Sequence, residues 1–146
     1  MSPKAQAAPS GGTRELSAPH RTILVVDDED ALLRVLALVL EEEGYRVVTA
    51  CNGRLALEAF ATHGADLVIT DYMMPEMDGK ELVAALHEMR PRLPVIVMSS
   101  LDAAIAGAAC AGHAQFVRKP FDIPDFLRSV AQLAAATGRD HLRLVK

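Results

Sequence analysis

Cysteine is scarce in this chain: of 146 residues only Cys51 and Cys110 carry a thiol, and they match no CxxC-type metal spacing. Both read as reduced thiols of a cytoplasmic protein, since nothing near the N-terminus forms the apolar core of a secretory signal. A basic excess is also missing. Fifteen Lys and Arg against nineteen Asp and Glu give a formal charge of -4, which disfavours direct nucleic-acid binding through neutralised phosphates. Long apolar runs are absent as well: the longest, Ala31 to Leu40, is broken by Arg34. It falls far short of the roughly 20 residues a membrane span requires, so membrane insertion is excluded. The five histidines, at positions 20, 63, 87, 113 and 141, show no i, i+4 pairing and no carboxylate at ligand spacing, which argues against a histidine-held metal.

What is there suits one globular domain, with 51% hydrophobic and 23% charged residues in a length typical of a single core. Residues 1–20, with Pro3, Pro9, Pro19, Gly11 and Gly12, read as a flexible leader. From Thr22 onward short β-rich runs alternate with helical patterns. The runs are Ile23 to Val26, Arg46 to Ala50, Asp66 to Thr70, Val95 to Met98 and Gln115 to Arg118. Several are apolar throughout, as strands covered on both faces should be. Helices are predicted over 29–43, 53–63, 78–90, 101–111 and 122–137. Gly44 ends the first, while Asn52 and Asp78 cap the second and third. Five β/α units of this kind imply a doubly wound α/β domain over residues 21–137, followed by a short C-terminal tail, 138–146.

Ligands of open parallel sheets sit beyond the carboxyl ends of the strands. At those ends stand Asp27 and Asp28, then Asp71, then Ser99 and Ser100, then Lys119. A single Asp there is ordinarily a cap or turn residue. Three carboxylates converging on one edge instead raise each other's pKa and destabilise the fold unless cations compensate. Mg²⁺, a hard ion that prefers oxygen ligands and keeps several waters, suits two or three carboxylates plus a carbonyl, and Lys119 supplies a fixed positive charge.

Four segments in order, Ile23-Leu24-Val25-Val26-Asp27-Asp28-Glu29, Asp71-Tyr72-Met73-Met74-Pro75-Glu76-Met77-Asp78-Gly79, Pro94-Val95-Ile96-Val97-Met98-Ser99-Ser100 and Phe116-Val117-Arg118-Lys119-Pro120-Phe121, resemble the response-regulator receiver domains of two-component signalling. The resemblance implies a flavodoxin-like (βα)₅ fold with strand order 2-1-3-4-5. It implies that Asp71 accepts a phosphoryl group from a histidine kinase or phosphotransfer protein, and that Asp27, Asp28, Asp71 and the Met73 carbonyl hold Mg²⁺. Lys119 stands where the family has its lysine, Ser99 where it has Ser or Thr, and Phe116 where a switch aromatic is common. The Lys119–Pro120 bond is expected to be cis. The implied output is a changed set of protein contacts on the face of the fourth helix, fifth strand and fifth helix, toward a downstream protein target, with phosphorylation-dependent dimerisation left open. The implied chemistry is self-phosphorylation and self-dephosphorylation only, not that of an enzyme with a separate substrate.

Two positions depart from common family usage: Met73 places an apolar side chain where polar ones often occur, and Ser100 stands where Ala or Gly is frequent. Both bear on the lifetime of the acyl phosphate. The tail after the last helix is too short for an effector domain, so the expected output is through protein contacts. The alternatives are a phosphorelay intermediate and a receiver piece of a larger regulator or hybrid kinase. A more distant rival takes Asp28 and Asp30 as the DxD of a haloacid-dehalogenase-type phosphatase, but Leu32 replaces its expected Thr or Val. An FMN-binding flavodoxin is the other rival, and two aspartates after the first strand oppose it, where a phosphate cradle needs Ser, Thr or Gly. The first helix surrounds Arg34 with apolar residues, and its outer edge is a candidate docking surface for a kinase or phosphotransfer helix.

Overall fold

Residues 20–100 and 114–145 are described by a computed structural model of the chain. The expected leader up to position 19, the predicted fourth helix, Cys110 and His113 lie outside the described residues. Five strands, β1 (Thr22–Val26), β2 (Arg46–Ala50), β3 (Leu67–Asp71), β4 (Val95–Ser99) and β5 (Ala114–Arg118), are joined by α1 (Asp30–Glu42), α2 (Gly53–His63) and α3 (Gly79–Met89), and α4 (Ile123–Val145) closes the chain. The sheet runs β2-β1-β3-β4-β5 and every pair in it is parallel. That order is the one expected.

Strand residues alternate between two cores, which is why the central strands are apolar at every position. On one face Ile23 and Val25 of β1 join Leu67, Ile69, Ile96 and Met98 under Leu33, Leu36 and Leu40 of α1 and Phe126 and Val130 of α4. On the other, Leu24 and Val26 join Val68, Val95 and Val97 under Ala56 and Phe60 of α2 and Leu82, Val83 and Leu86 of α3. A fully buried side chain of this size contributes about 1.5–3 kcal/mol relative to exposure. A one-residue slip in any central strand would therefore exchange the two cores and is strongly disfavoured.

Helix ends follow local chemistry. Asn52 Oδ1 accepts the Leu55 amide at 2.8 Å, and Asp78 and Glu81 form a reciprocal capping box. Gly44, at φ 100°, closes α1: its amide reaches the Glu41 carbonyl while the Tyr45 amide reaches that of Leu40. This reciprocal pattern requires a left-handed residue at that place, and Gly adopts it without a Cβ penalty. The last helix departs from expectation. It passes the predicted end at 137 and continues to Val145, so most of the expected tail is helical. Gly138 weakens a helix by about 1 kcal/mol relative to Ala but does not stop one without a capping motif.

Candidate phosphoacceptor and cation site

The site grows out of the carboxyl ends of β1, β3, β4 and β5. Asp27 directly follows β1, and its amide continues the ladder to the Ala50 carbonyl at 3.2 Å. Its Oδ1 accepts the Glu29 amide at 2.8 Å, which turns the chain into α1 and leaves Oδ2 3.5 Å from Lys119 Nζ. Asp71 is the last residue of β3, with Oδ1 3.0 Å from the same ammonium. Lys119 follows β5, where its amide donates to the Ser99 carbonyl at 2.8 Å. Its flexible four-carbon stem lets the ammonium cross the end of β4 to reach Asp71.

Asp27, Asp71 and Ser99 are buried, whereas Asp28 and Ser100 are exposed. One carboxylate oxygen from each of Asp27, Asp28 and Asp71 lies within 4.8 Å of the other two. Burial pushes the Asp71 carboxyl above the ordinary carboxylate range, the nearby Asp28 adds to the rise, and the Lys119 contact only partly offsets it. Asp27 is raised in the same way, first by burial and further by Asp71, against the Glu29 amide and Lys119. Burial alone would lower the Lys119 ammonium, but the hydrogen bond and charge of Asp71, with the charge of Asp27, leave it raised. The ammonium therefore stays charged, while two buried carboxylates share one counter-charge. That imbalance calls for a further cation, and an all-oxygen donor set with one side open to solvent matches a hard divalent ion.

The loop after Asp71 is tightly anchored. The Tyr72 amide donates to the Met98 carbonyl and the Gly79 amide to the Tyr72 carbonyl, each at 2.8 Å. Between them the Met77 amide bonds the Pro75 carbonyl in a γ-turn centred on Glu76, whose φ is 72°. Met73 projects from this loop at 59% exposure. Phe116 is half-buried on β5, level with Val97, and packs against the α2/α3 core. The Lys119–Pro120 peptide is cis, as expected. Asp30, the second acid of the phosphatase-like DxD, pairs with Arg34 at 2.6 Å on an exposed face of α1. That contact agrees poorly with a catalytic role beside Asp28.

Every residue singled out at the strand ends is thus gathered at one edge, with Phe116 one strand interior away. Three neighbours were given no role by the sequence reading, although Gly79 stood in one of its segments. Thr70 is buried and donates its hydroxyl to the Asp71 carbonyl at 3.0 Å. A Cβ on Gly79 would meet the Tyr72 Cα at 2.8 Å and the Asp71 carbonyl oxygen at 2.9 Å. Gly53, distant in sequence, lies against Met77 of the same loop. Only Gly79 carried a signal, as part of the Asp78-Gly79 pair. The other two are defined by a contact and not by a spacing.

Known proteins resemble this chain in sequence and in fold. The model of the response regulator receiver domain family matches residues 23–131. The chain is 36% identical over 120 residues to the probable transcriptional regulatory protein TcrX of Mycobacterium tuberculosis, a match covering 80% of this chain and 51% of that protein. It is 42% identical over 118 residues to the regulatory protein AtoC of Escherichia coli, covering 77% of this chain and 24% of that one. The chain therefore spans about half the length, or less, of these curated relatives. Among solved structures, a CheY-like receiver domain protein from Methanospirillum hungatei superposes with a TM-score of 0.75 at 25% identity, covering 83% of this chain and 98% of that one. The response regulator TrrA of Thermotoga maritima, solved in complex with Mg²⁺ and BeF, superposes with a TM-score of 0.68 at 31% identity, covering 77% and 98%.

Proposed function

The chain belongs to the response regulator receiver domain family, and from that premise we propose that Asp71 is its phosphoacceptor. The observation that carries this reading is the pairing of Asp71 Oδ1 with Lys119 Nζ at 3.0 Å beside the Asp27–Asp28 carboxylates. A histidine kinase or histidine phosphotransfer protein is the proposed donor. An Asp71 carboxylate oxygen attacks phosphorus, the P–N bond to the donor imidazole breaks, and the imidazole leaves with its electron pair to be protonated. Asp27, Asp28, Asp71 and the Met73 carbonyl would hold Mg²⁺, which when bound offsets the negative charge of the incoming phosphoryl oxygens. Lys119 supplies the second positive charge and keeps the acceptor carboxylate oriented.

The Ser99 hydroxyl, at the end of β4, then donates to a phosphoryl oxygen and draws its loop toward Asp71. Phe116 rotates into the space released, and the surface around β5 and α4 changes the partners it accepts. The helix predicted over 101–111 would form the rest of that face, and phosphorylation-dependent dimerisation is one form the new contact could take. Output passes through a downstream protein target and not through contact of this domain with nucleic acid, and the chemistry is confined to gain and loss of the phosphoryl group on Asp71. The proposed location is the cytoplasm; among the described residues no helix is long and apolar enough to cross a membrane. On α1, Val35 and Leu38 are 49% and 57% exposed, an apolar strip suited to the donor's helix.

The test is incubation with acetyl phosphate and Mg²⁺ followed by intact-mass measurement. Wild type gains one phosphoryl group and Asp71→Asn gains none. A gain that persists in Asp71→Asn overturns the assignment.

A further inference from the structure

The carboxylates of the site are placed by the sheet, because Asp27 and Asp71 extend adjacent paired strands. The Met73 carbonyl is not. It belongs to the loop between β3 and α3, and its position depends on what holds that loop. Part of the hold is close by: the Tyr72 amide on the Met98 carbonyl, the Gly79 amide on the Tyr72 carbonyl, the capping box at Asp78 and the buried Met74. Another part is remote. A Cβ added to Gly53, the first residue of α2, would lie 2.6 Å from Met77 Sδ, 2.8 Å from its Cγ and 2.9 Å from its Cβ. Contacts this short do not occur between real side chains, so Met77 is seated on the bare backbone of Gly53. Rotating the Met77 side chain relieves the first two clashes. The third involves the Cβ and requires the loop backbone to move.

Gly53 is itself tied to the other half of the site. It follows Ala50 by three residues, and the Ala50 carbonyl accepts the Asp27 amide at 3.2 Å. The Asn52 side chain caps α2 through the Leu55 amide at 2.8 Å and so fixes where Gly53 lies. A closed path therefore runs from Asp27 through the end of β2 to the start of α2, across the Met77 contact into the loop, and back to Asp71.

We propose that the Met77–Gly53 contact is a positioning element that sets divalent-cation affinity by holding the loop that presents the Met73 carbonyl. The proposal rests on the receiver reading, in which that carbonyl is a cation ligand. Neither residue touches the phosphoryl group. Gly53→Ala displaces the loop at Met77, Met77→Ala removes the apolar side chain seated on Gly53 while Met74 stays in the core, and Met77→Leu keeps an apolar side chain of similar volume. Residues that orient metal ligands without binding the metal typically change affinity by 10–100-fold. With one ligand of several displaced, the lower end applies.

The experiment is calorimetric titration of Mg²⁺ into wild type, Gly53→Ala, Met77→Ala and Met77→Leu, with the cation-free melting temperature and the rate of phosphoryl gain from acetyl phosphate measured on each. The expected result is a Mg²⁺ Kd about tenfold weaker in Gly53→Ala and Met77→Ala and near wild type in Met77→Leu. The cation-free melting temperature of Gly53→Ala falls with the cost of the Cβ overlap, whereas Kd, measured on the folded protein, reads the position of the loop separately. A merely structural contact would lower the melting temperature and leave Kd unchanged. If wild type gains a phosphoryl group but Gly53→Ala and Met77→Ala keep its Mg²⁺ affinity, the positioning role is overturned while the receiver reading stands. If wild type neither binds Mg²⁺ nor gains a phosphoryl group, the receiver reading fails and this inference fails with it.

Discussion

Lys119 is the residue on which the charge balance of the site turns. Its ammonium lies 3.0 Å from Asp71 and 3.5 Å from Asp27, so Lys119→Ala leaves two buried carboxylates facing each other without a protein counter-charge. An unmatched buried acceptor costs about 1–3 kcal/mol, more when charged, and a loss of that order is expected in urea denaturation at pH 7 without Mg²⁺. The loss should shrink in acid, where the carboxylates are protonated. An unchanged midpoint at pH 7 would show that the ammonium is not compensating them. On the proposed reading, Met73 bears on loss of the phosphoryl group. Loss of the phosphoryl group needs an in-line water, and this exposed thioether offers only a weak acceptor to orient it. Met73→Asn restores a hydrogen bond worth on the order of 1 kcal/mol, so the dephosphorylation half-life should shorten roughly fivefold. A half-life equal to or longer than that of wild type would remove Met73 from any protective role.

Among the elements, α1 presents two unlike faces. Leu33, Leu36 and Leu40 are buried against the sheet, while Val35 and Leu38 face outward. The composition of the helix showed more apolar surface than one sheet face can cover, and the structure leaves that excess in solvent. Val35→Ser with Leu38→Ser removes little core packing, so stability should change by no more than about 0.5 kcal/mol apart from the small helix-propensity terms. Phosphoryl transfer from a cognate kinase should slow at least tenfold while transfer from acetyl phosphate stays unchanged. Equal slowing of both donors would place the effect in the site and not in docking.

At the level of the whole molecule, ionisation of the site is linked to folding. Asp27 and Asp71 have folded pKa values raised above their ordinary range, first by burial. The folded chain therefore holds protons that the unfolded chain releases, and in cation-free buffer stability falls as pH rises from the ordinary carboxylate range through the raised values. The Lys119 shift works elsewhere: its contribution is complete below the ordinary lysine pKa and is lost as pH rises through the raised folded value. Mg²⁺ that binds only the folded site should reverse the carboxylate penalty. At ten times Kd the gain is about 1.4 kcal/mol, a rise in melting temperature of about 4 °C that EDTA removes. The rise should vanish in Asp27→Asn. A Mg²⁺ shift of equal size in that variant would mean that the ion stabilises the fold from another place.

The sequence by itself determined the architecture, because short Val- and Ile-rich apolar runs such as Leu67 to Ile69 alternate with longer helical patterns, as strands covered on both faces and joined by helical crossovers do. It also determined which charged residues converge, since strand ends in such a sheet share one edge. Helix caps at Asn52 and Asp78 were legible for the same reason: they are local chemistry within three residues. What only the tertiary structure decided is non-local. Gly138 is a break in pattern but not a stop, and whether α4 ends there depends on the chain around it. Gly53 and Met77 lie 24 positions apart and form no motif together. Their contact exists because β2 and β3 flank β1 and bring the start of α2 beside the loop after β3. Burial decided the rest: a sequence places Asp27, Asp28 and Asp71 together, but only the fold buries Asp27 and Asp71 while leaving Asp28 in solvent, and desolvation is the largest influence on the two buried carboxyls.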